Sequence, residues 1–425
     1  MVTTEMFSVR PLSFTAAFKE LTDHAPYPWQ EKLFPLFVSG KIPANISLPT
    51  ASGKTSIMAI WLLALAKTAQ EDTALSTVPR RLVWIVNRRV VVDQATSEAE
   101  MLISRLHTHD SPSHLECVRK ALKRLSAVDS DEDVLAVSTL RGQFADNAEW
   151  RNDPSRPAII IGTVDMVGSR LLFSGYGRGF RSRPLHAAFL GQDALLVHDE
   201  SHLEPAFQGL IEAIASEQVR CRDFCPVKIV ALSATSRGTE GEFGLSQTDR
   251  EHEDLRNRLN AKKGIAFFQA ASEKEISEEI SKRSLQLADS GQAILVFLRK
   301  LEDVAKIKAR LPKDSVQQLT GTLRGLERDA LAKSDPIFAR FMPTPSVAPK
   351  SGTVYLLCTS AGEVGINISG DHLICDLTPF DSMAQRFGRV NRFGAGDAMI
   401  EIVHSVADGD QDSKKNKKLR EFEAA

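Results

Sequence analysis

The sequence contains few cysteines, no hydrophobic run of membrane-spanning length and almost no net charge. Its five cysteines are odd in number and mostly isolated, so a disulfide framework is not expected, and a reducing cytoplasm fits best. Cys221 and Cys225 are the one close pair, and without a second pair or a nearby His pair they do not predict a zinc site. The longest apolar run, IMAIWLLALA, is about half of the ~20 residues that a membrane span needs. The start, MVTTEMFSVR, lacks the basic and then apolar pattern of a signal peptide. We therefore expect a cytoplasmic protein with no membrane partner.

The formal net charge of -1 over 425 residues does not by itself point to any class of partner. Nucleic acid is not excluded by it, because backbone N–H groups and helix N-termini also bind phosphates. At roughly 100 to 200 residues per domain, the length allows two or three domains, each with its own core.

Short apolar runs rich in β-branched residues recur along the chain. They are continuous rather than alternating, which predicts an α/β fold with parallel strands covered by helices on both faces. A polar stretch with no apolar period separates two such groups, so we expect a linker there. The predicted strands are 81–86, 157–163, 194–200 and 227–235 in the first group and 293–298, 353–360, 372–377 and 399–405 in the second.

The segment LPTASGKTS (48–56) has the GK[ST] core of a phosphate-binding loop. Gly53 would allow close approach of the backbone, Lys54 would reach the β and γ phosphates, and Thr55 would offer its hydroxyl to Mg²⁺. The full pattern would place Gly at position 48, where this chain has Leu48, but an apolar strand before the loop and an apolar helix after it support the prediction. Thr50, Ser52 and Ser56 complete the predicted loop.

Two further strings carry charged groups suited to phosphoryl transfer. In HDESH (198–202), Asp199 would hold Mg²⁺ and Glu200 would orient or deprotonate the attacking water, the alternative being a solvated acidic turn. In SMAQRFGRVNR (382–392), Arg389 and Arg392 are three residues apart, which predicts one helical face, and both could act as arginine fingers at the γ-phosphate. The alternative is an ordinary basic surface helix. Together these strings predict an enzyme that hydrolyses ATP with Mg²⁺.

The strings in this order resemble superfamily 2 helicases from about residue 26 to 405. The resemblance implies two tandem RecA-like P-loop NTPase domains, with boundaries at 1–25 (N-terminal segment), 26–245 (domain 1), 246–262 (linker), 263–405 (domain 2) and 406–425 (charged tail). It also implies residue roles. Gln30 and Gln385 would bind the nucleotide; coupling of hydrolysis to movement would fall to His202, Ser233, Thr235, Gly365 and Asn367.

A narrower resemblance, to the helicase of type I CRISPR interference, rests on residues 86–95, 138–177 and 319–331. It implies 3′ to 5′ translocation along single-stranded DNA, recruitment by a guide-RNA surveillance complex, and degradation of the unwound DNA. The DNA backbone contacts that it implies are Arg88, Arg141, Thr163 and Arg324. Two other readings stay open: a general RNA or DNA helicase, and a nucleotide-switched scaffold without motor activity.

The chain departs from this family in two ways. Asn367 stands where the family commonly has Asp, which keeps an acceptor but removes a charge. The family's HD nuclease needs several His and Asp ligands, whereas the HD pairs of this chain are His109-Asp110, in a predicted loop, and His198-Asp199, in the acidic string. We therefore expect a helicase portion without its own nuclease, either because the chain is incomplete or because the HD nuclease is a separate protein.

Overall fold

The computed structural model describes most of the chain and divides it into two compact units, Met1–His252 (unit 1) and Glu253–Ala425 (unit 2). The boundary falls inside the segment 246–262 that the sequence predicts as a linker. The residues described are 12–50, 52–71, 77–87, 89–108, 113–127, 134–140, 153–176, 179–234, 241–323, 325–363, 367–394 and 396–405.

Unit 1 is built on a parallel sheet of seven strands in the order β3, β4, β2, β5, β6, β1, β7. The strands are β1 (Asn45–Ser47), β2 (Arg81–Val86), β3 (Ala136–Leu140), β4 (Ala158–Thr163), β5 (Ala194–His198), β6 (Lys228–Ser233) and β7 (Phe243–Gly244). The helices are α1 (Phe14–Thr22), α2 (Pro28–Val38), α3 (Ile57–Gln70), α4 (Arg89–Thr108), α5 (His114–Lys123), α6 (Val164–Leu171), α7 (Arg183–Gly191), α8 (Pro205–Cys221) and α9 (Gln247–Glu251).

The central strands of unit 1 are buried along their whole length. Every residue of β2, β4 and β5 is buried, which explains why the sequence of each is a continuous apolar run. Helix α3 is buried over most of its residues and is apolar almost all round, as a helix in the interior of a large domain must be. In a parallel sheet all carboxyl ends share one edge, so the residues that follow β1, β5 and β6 meet there.

Unit 2 is built on a second parallel sheet, of six strands in the order β10, β11, β9, β12, β13, β8. The strands are β8 (Lys263–Ala270), β9 (Ala293–Phe297), β10 (Val316–Leu319), β11 (Val354–Cys358), β12 (His372–Asp376) and β13 (Ala398–Ser405). The helices are α10 (Glu253–Leu259), α11 (Ile276–Gln286), α12 (Leu301–Arg310), α13 (Gly325–Ser334), α14 (Pro336–Ala339) and α15 (Phe380–Phe387). The two parallel sheets with flanking helices confirm the predicted α/β tandem fold.

The predicted linker is more ordered than its polar composition suggests. Helices α9 and α10 both lie within 246–262, and the Asp249 side chain is buried, where it accepts hydrogen bonds from the backbone N–H and the hydroxyl of Ser246. These bonds form a capping box that starts α9.

Helix length and the state of the cysteines bear on two of the sequence predictions, in the part of the chain that the structure describes. No helix there is both long and apolar enough to cross a membrane. All five cysteines are free thiols. Cys358 and Cys375 are buried in unit 2, and burial raises the pKa of Cys375 to about 12, so its thiol stays protonated and unreactive.

Candidate nucleotide site and the motif contacts of each unit

The phosphate loop leaves β1 at the carboxyl edge of the first sheet. The Leu48 amide donates to the carbonyl of Ser233 at 3.0 Å, which joins the start of the loop to the end of β6. Gly53 has a φ of +86°, a conformation that residues with a Cβ rarely adopt. A single 3-10 turn, Lys54–Ser56, then leads into α3. The chain thus enters a helix N-terminus directly after a left-handed glycine, the geometry in which backbone N–H groups bind phosphate.

The two acids that the sequence assigns to catalysis lie next to the loop lysine. The Lys54 Nζ is 3.1 Å from Glu200 Oε1, and both side chains are largely buried. Asp199 and Glu200 directly follow β5, and the Asp199 amide donates to the carbonyl of Ile85 at 2.9 Å. Residues 146 positions apart in sequence are therefore brought together by parallel strands that end at the same edge.

Asp199 carries a carboxyl oxygen that is suited to a metal ion. Its Oδ1 is buried and has no hydrogen-bond partner within the described residues, and the Thr55 hydroxyl likewise has none. Burial, and next the Glu200 carboxylate, raise the pKa of Asp199 to about 6, while Lys54 opposes them. Carboxylate and hydroxyl oxygens are ligands that Mg²⁺ prefers, and a dication would relieve the repulsion between the two acids, so the residues present fit Mg²⁺.

Gln30 connects helix α2 to the phosphate loop. Its Oε1 accepts from the Tyr27 amide at 2.7 Å, and its Nε2 donates to the Ser56 hydroxyl at 2.7 Å. The neighbouring Trp29 donates from its indole nitrogen to the carbonyl of Ser52 at 3.2 Å. Trp29 and Gln30, in the sequence PWQ (28–30) at the start of α2, therefore hold the phosphate loop by hydrogen bonds. The adenine contact predicted for Gln30 stays a prediction.

Side chains that the sequence reading did not single out hold the acidic string in place. His198 is fully buried, and its Nδ1 donates to Gln208 Oε1 at 2.8 Å, because the Gln208 amide nitrogen is itself the donor to Glu212. This chain of bonds joins the end of β5 to α8. His202 Nδ1 lies 3.6 Å from Glu200 Oε2 and Ser233 is buried at the end of β6, so two of the predicted coupling residues lie close to the nucleotide site.

In unit 2, the buried acid Glu363, from the sequence GEVGIN (362–367), contacts the segment QRFGRVNR (385–392). Glu363 Oε1 accepts from Arg386 Nε at 3.0 Å, and Glu363 Oε2 accepts from the Ser382 hydroxyl at 3.3 Å. Arg386 also donates to Asp376 Oδ1 at 3.0 Å, and it is 1% exposed. Glu363, Asp376 and Arg386 thus form a buried ionic cluster between the ends of two strands and α15. The sequence reading missed it, although Glu363 is the one acid in its string.

The two predicted arginine fingers occupy different environments. The Arg389 guanidinium donates from Nε and Nη2 to the carbonyl of Glu363 at 3.1 and 3.0 Å, and burial, followed by Arg392, lowers the pKa of Arg389 to about 9. Arg392 is partly exposed, and its guanidinium has no ion-pair partner in the part of the chain that the structure describes. Arg392 is the better placed of the two to bind an anion.

One prediction about these arginines is wrong. Helix α15 ends at Phe387, so Arg389 and Arg392 lie on the turn after it and do not share a helical face. The helix stops because the following residues bond elsewhere: Gly370 and Val390 form an isolated bridge, and Asn391, with a φ of +43°, donates its amide to Gly370.

The other predicted site residues are only partly located. Thr163 caps α6, where its hydroxyl accepts from the Met166 amide at 3.4 Å. Thr50 and Asn367 are exposed, and Gln385 lies on α15. Five predicted positions lie outside the described residues: Arg88, Arg141, Thr235, Arg324 and Gly365. The same holds for the His109-Asp110 pair, and the described residues contain no cluster of three or more His, Cys, Asp or Glu side chains that could hold a metal ion.

Comparison with known proteins gives one family and several similar structures. Residues 290–395 match the family of the CRISPR-associated nuclease/helicase Cas3, C-terminal. T. fusca Cas3 with AMPPNP is similar in fold, with a TM-score of 0.60 and 14% identity over 92% of this chain and 48% of that one. The DUF1998 helicase MrfA bound to DNA is similar with a TM-score of 0.58 and 16% identity, over 98% of this chain and 55% of that one.

The chain spans about half the length of these solved structures. No curated protein matches it in sequence. At such identities the structural likeness shows the fold alone. Residues 290–395 thus match a family of CRISPR-associated helicases, and the two tandem parallel-sheet units are similar in fold to solved helicases.

Proposed function

We propose that this chain is the motor part of a CRISPR interference helicase, an ATPase that single-stranded DNA stimulates and that moves 3′ to 5′ along that strand. The observation that carries the proposal is the position of Lys54 against Glu200, where a left-handed glycine turn enters a helix. Beside this pair lies a buried Asp199 oxygen that has no hydrogen-bond partner among the described residues. Each group matches a step of phosphoryl transfer, which needs charge neutralisation and an oriented nucleophile.

The Lys54–Glu200 ion pair defines what must happen when ATP binds. Lys54 can reach the β and γ phosphate oxygens only by leaving Glu200 Oε1, and Glu200 is then free to accept a proton from water. Asp199 and Thr55 would hold Mg²⁺, which neutralises charge on the phosphates. ATP binding therefore breaks the Lys54–Glu200 ion pair, and the same step frees Glu200 to act as the catalytic base.

Arg392 is our proposed arginine finger. A planar guanidinium can bind two phosphate oxygens at once, and Arg392 has no carboxylate to release first within the described residues. Arg389 is already bonded to the Glu363 carbonyl, and we assign it the role of holding the turn that carries Arg392.

DNA as the polymer, and a guide-RNA surveillance complex as the recruiting partner, follow from what the chain is similar to. The family that residues 290–395 match is named as CRISPR-associated, and MrfA is described as bound to DNA. A separate HD nuclease would then degrade the strand that this motor exposes. These partners are proposals that rest on similarity and on the predicted backbone contact at Thr163.

Steady-state ATP hydrolysis, measured alone, with single-stranded DNA and with RNA, tests the proposal. We expect DNA to stimulate hydrolysis, and Lys54→Ala and Glu200→Gln to lose at least about 100-fold in kcat. The matched control is Lys67→Ala, which removes a lysine from a surface pair with Glu71 on helix α3. Stimulation by RNA but not DNA would contradict the DNA assignment, and hydrolysis that persists in Lys54→Ala would contradict the site.

Unwinding of duplexes with a single-stranded overhang tests the direction of movement. A motor that moves 3′ to 5′ on the strand to which it binds unwinds a duplex with a 3′ overhang and leaves one with a 5′ overhang intact. The opposite preference would contradict the proposed polarity.

A further inference from the structure

The segment between α6 and α7 exposes aromatic and apolar side chains in a region without negative charge. Residues 166–192 contain four arginines and no aspartate or glutamate. Phe180 is 83% exposed, more than any other large apolar side chain in the described part of the chain. Leu172, Phe173 and Tyr176 of the same segment are each more than half exposed, and such a concentration of open apolar side chains points to a binding surface.

Among the residues that the structure describes, the two arginines next to this ring in sequence, Arg181 and Arg183, have no acidic partner. Arg181 is exposed, and Arg183 places its Cζ 6.0 Å from the centroid of the Phe180 ring. Neither forms an ion pair within the described residues, although surface arginines elsewhere in the unit, such as Arg220, do. An exposed aromatic ring beside guanidinium groups that form no ion pair within the described residues is complementary to a base and its flanking phosphates.

The course of the two helices places Phe180 at the carboxyl edge of the first sheet. Helix α6 begins directly after β4, helix α7 ends just before β5, and the last residue of α7, Gly191, lies against the side chain of Leu171 at the end of α6. Both helices therefore run back from the carboxyl edge to the amino edge. The 3-10 turn Phe180–Ser182 directly precedes α7 and lies about 13 Å from the C-terminal end of that helix. The turn is therefore at the carboxyl edge of the sheet, where Thr163 ends β4.

The backbone of this turn is fixed by short-range bonds. The Ser182 amide donates to the carbonyl of Gly179 at 3.0 Å, and the Ser182 hydroxyl donates to the same carbonyl at 2.9 Å. These two bonds restrict the backbone of the turn, which lowers the entropic cost of ordering it when a ligand binds.

We propose that Phe180 is a base-stacking residue for single-stranded DNA, with Arg181 and Arg183 as the flanking phosphate contacts. The proposal rests on the proposed DNA-dependent function and adds to it a contact to a base, where the sequence predicted backbone contacts only. Because every base has a π face, such a contact is independent of sequence, as a translocating motor requires.

Binding of a fluorescein-labelled oligo(dT) to the full chain, followed by anisotropy, tests the stacking contact. Phe180→Ala should raise Kd about 5- to 100-fold, Phe180→Leu should do nearly the same, and Phe180→Trp should restore binding. The matched control is Phe224→Ala, because Phe224 is 74% exposed on the same unit but precedes β6 at the amino edge. It should bind as the wild type does.

The salt dependence of binding separates stacking from charge. Phe180→Ala should leave the slope of log Kd against log salt concentration unchanged, whereas Arg181→Ala should reduce it by about 0.7 for the one lost phosphate contact. A leucine variant that binds like the wild type would overturn the stacking contact in favour of a plain apolar one.

Two negative outcomes are distinguishable. If the wild type binds oligo(dT) and its ATPase responds, but Phe180→Ala behaves as Phe224→Ala does, the stacking proposal fails and the exposed ring belongs to a protein contact. If the wild type itself neither binds oligo(dT) nor responds to it, the proposed DNA-dependent function fails. Unfolding midpoints equal to that of the wild type exclude misfolding of the variants.

Discussion

At the scale of single residues, Asp199 is kept where its charge destabilises the folded chain. Its pKa is raised to about 6 by burial and by Glu200, so the folded state holds a proton that the unfolded state has already released between about pH 4 and 6. Stability therefore falls as the pH rises through this window, and the full cost is present at pH 7. The carboxylate that we propose as a Mg²⁺ ligand therefore lowers the stability of the folded chain.

We predict that Asp199→Asn unfolds at a higher temperature than the wild type at pH 7, with a gain on the order of 1 to 2 kcal/mol, while its Mg²⁺-dependent ATP hydrolysis is lost. The gain should shrink toward pH 4, where the wild-type carboxyl is protonated. Thermal unfolding of the nucleotide-free protein across this pH range measures it. Asp223→Asn, at an exposed site on the same unit, is the control, and a destabilised Asp199→Asn would contradict the assignment.

Residue identity predicted that Lys54, Asp199 and Glu200 would lie together, but not which side chains hold them in place. Lys54, Asp199 and Glu200 each lie in a short segment that directly follows a predicted strand. Because the carboxyl ends of parallel strands share one edge of the sheet, the local sequence is enough to place these residues together. The bond between His198 and Gln208 and the cluster around Arg386 depend on which elements become neighbours. A buried salt bridge between residues 23 positions apart has no local signature, so it becomes visible only in three dimensions.

At the scale of secondary-structure elements, the strands missed by the sequence reading lie at the edges of the two sheets. Strands β3, β7, β8 and β10 occupy the four edge positions, whereas all of the predicted strands are internal. An internal strand of a parallel sheet is covered on both faces and reads as a continuous apolar run. An edge strand such as β10, with the sequence VQQL, is partly solvated, and β7 has two residues, so neither carries that signal.

The buried acid Glu363 joins two motif segments of unit 2, and its removal should loosen both. We predict that Glu363→Gln lowers the free energy of unfolding of unit 2 by about 1.5 to 3 kcal/mol, because it removes a charge-assisted hydrogen bond to Arg386, whose charge stays paired with Asp376. ATP turnover should fall with it, since the Glu363 carbonyl also holds Arg389.

Chemical denaturation of the wild type and the Glu363→Gln variant measures this loss. Glu278→Gln is the matched control, because Glu278 pairs with Arg310 at the surface of the same unit, where an ion pair contributes about 0 to 1 kcal/mol. If Glu363→Gln and Glu278→Gln gave equal unfolding curves, the buried cluster would not stabilise unit 2 by joining its two segments.

Helix α10 packs closely against the turn that follows Arg392. Gly394 has a φ of +71°, and a Cβ at this position would overlap the backbone carbonyl of Asn257 on α10. We predict that Gly394→Ala displaces α10 or the turn and destabilises unit 2 by at least about 2 kcal/mol. Gly396→Ala, where a Cβ meets open space, should change stability by less than about 1 kcal/mol in the same melt. If neither substitution changed the stability of unit 2, the close packing of α10 against this turn would be contradicted.

At the scale of the whole molecule, the groups proposed for one reaction are divided between two folding units. Lys54, Asp199 and Glu200 belong to unit 1, and Arg392 belongs to unit 2. If ATP hydrolysis needed unit 1 alone, a substitution at Arg392 would not change kcat. We predict instead that Arg392→Ala lowers kcat at least about 100-fold, since an arginine finger contributes to the transition state rather than to the ground state.

The kinetic pattern distinguishes this role from damage to unit 2. Arg392→Ala should bind a fluorescent ATP analogue with nearly the wild-type Kd, and Arg392→Lys should recover little activity, because an ammonium group cannot bind two phosphate oxygens in the plane of a guanidinium. Arg310→Ala removes an exposed arginine from the same unit and should leave kcat unchanged. Full turnover in Arg392→Ala would mean that hydrolysis needs unit 1 alone, and that unit 2 serves only to hold the DNA.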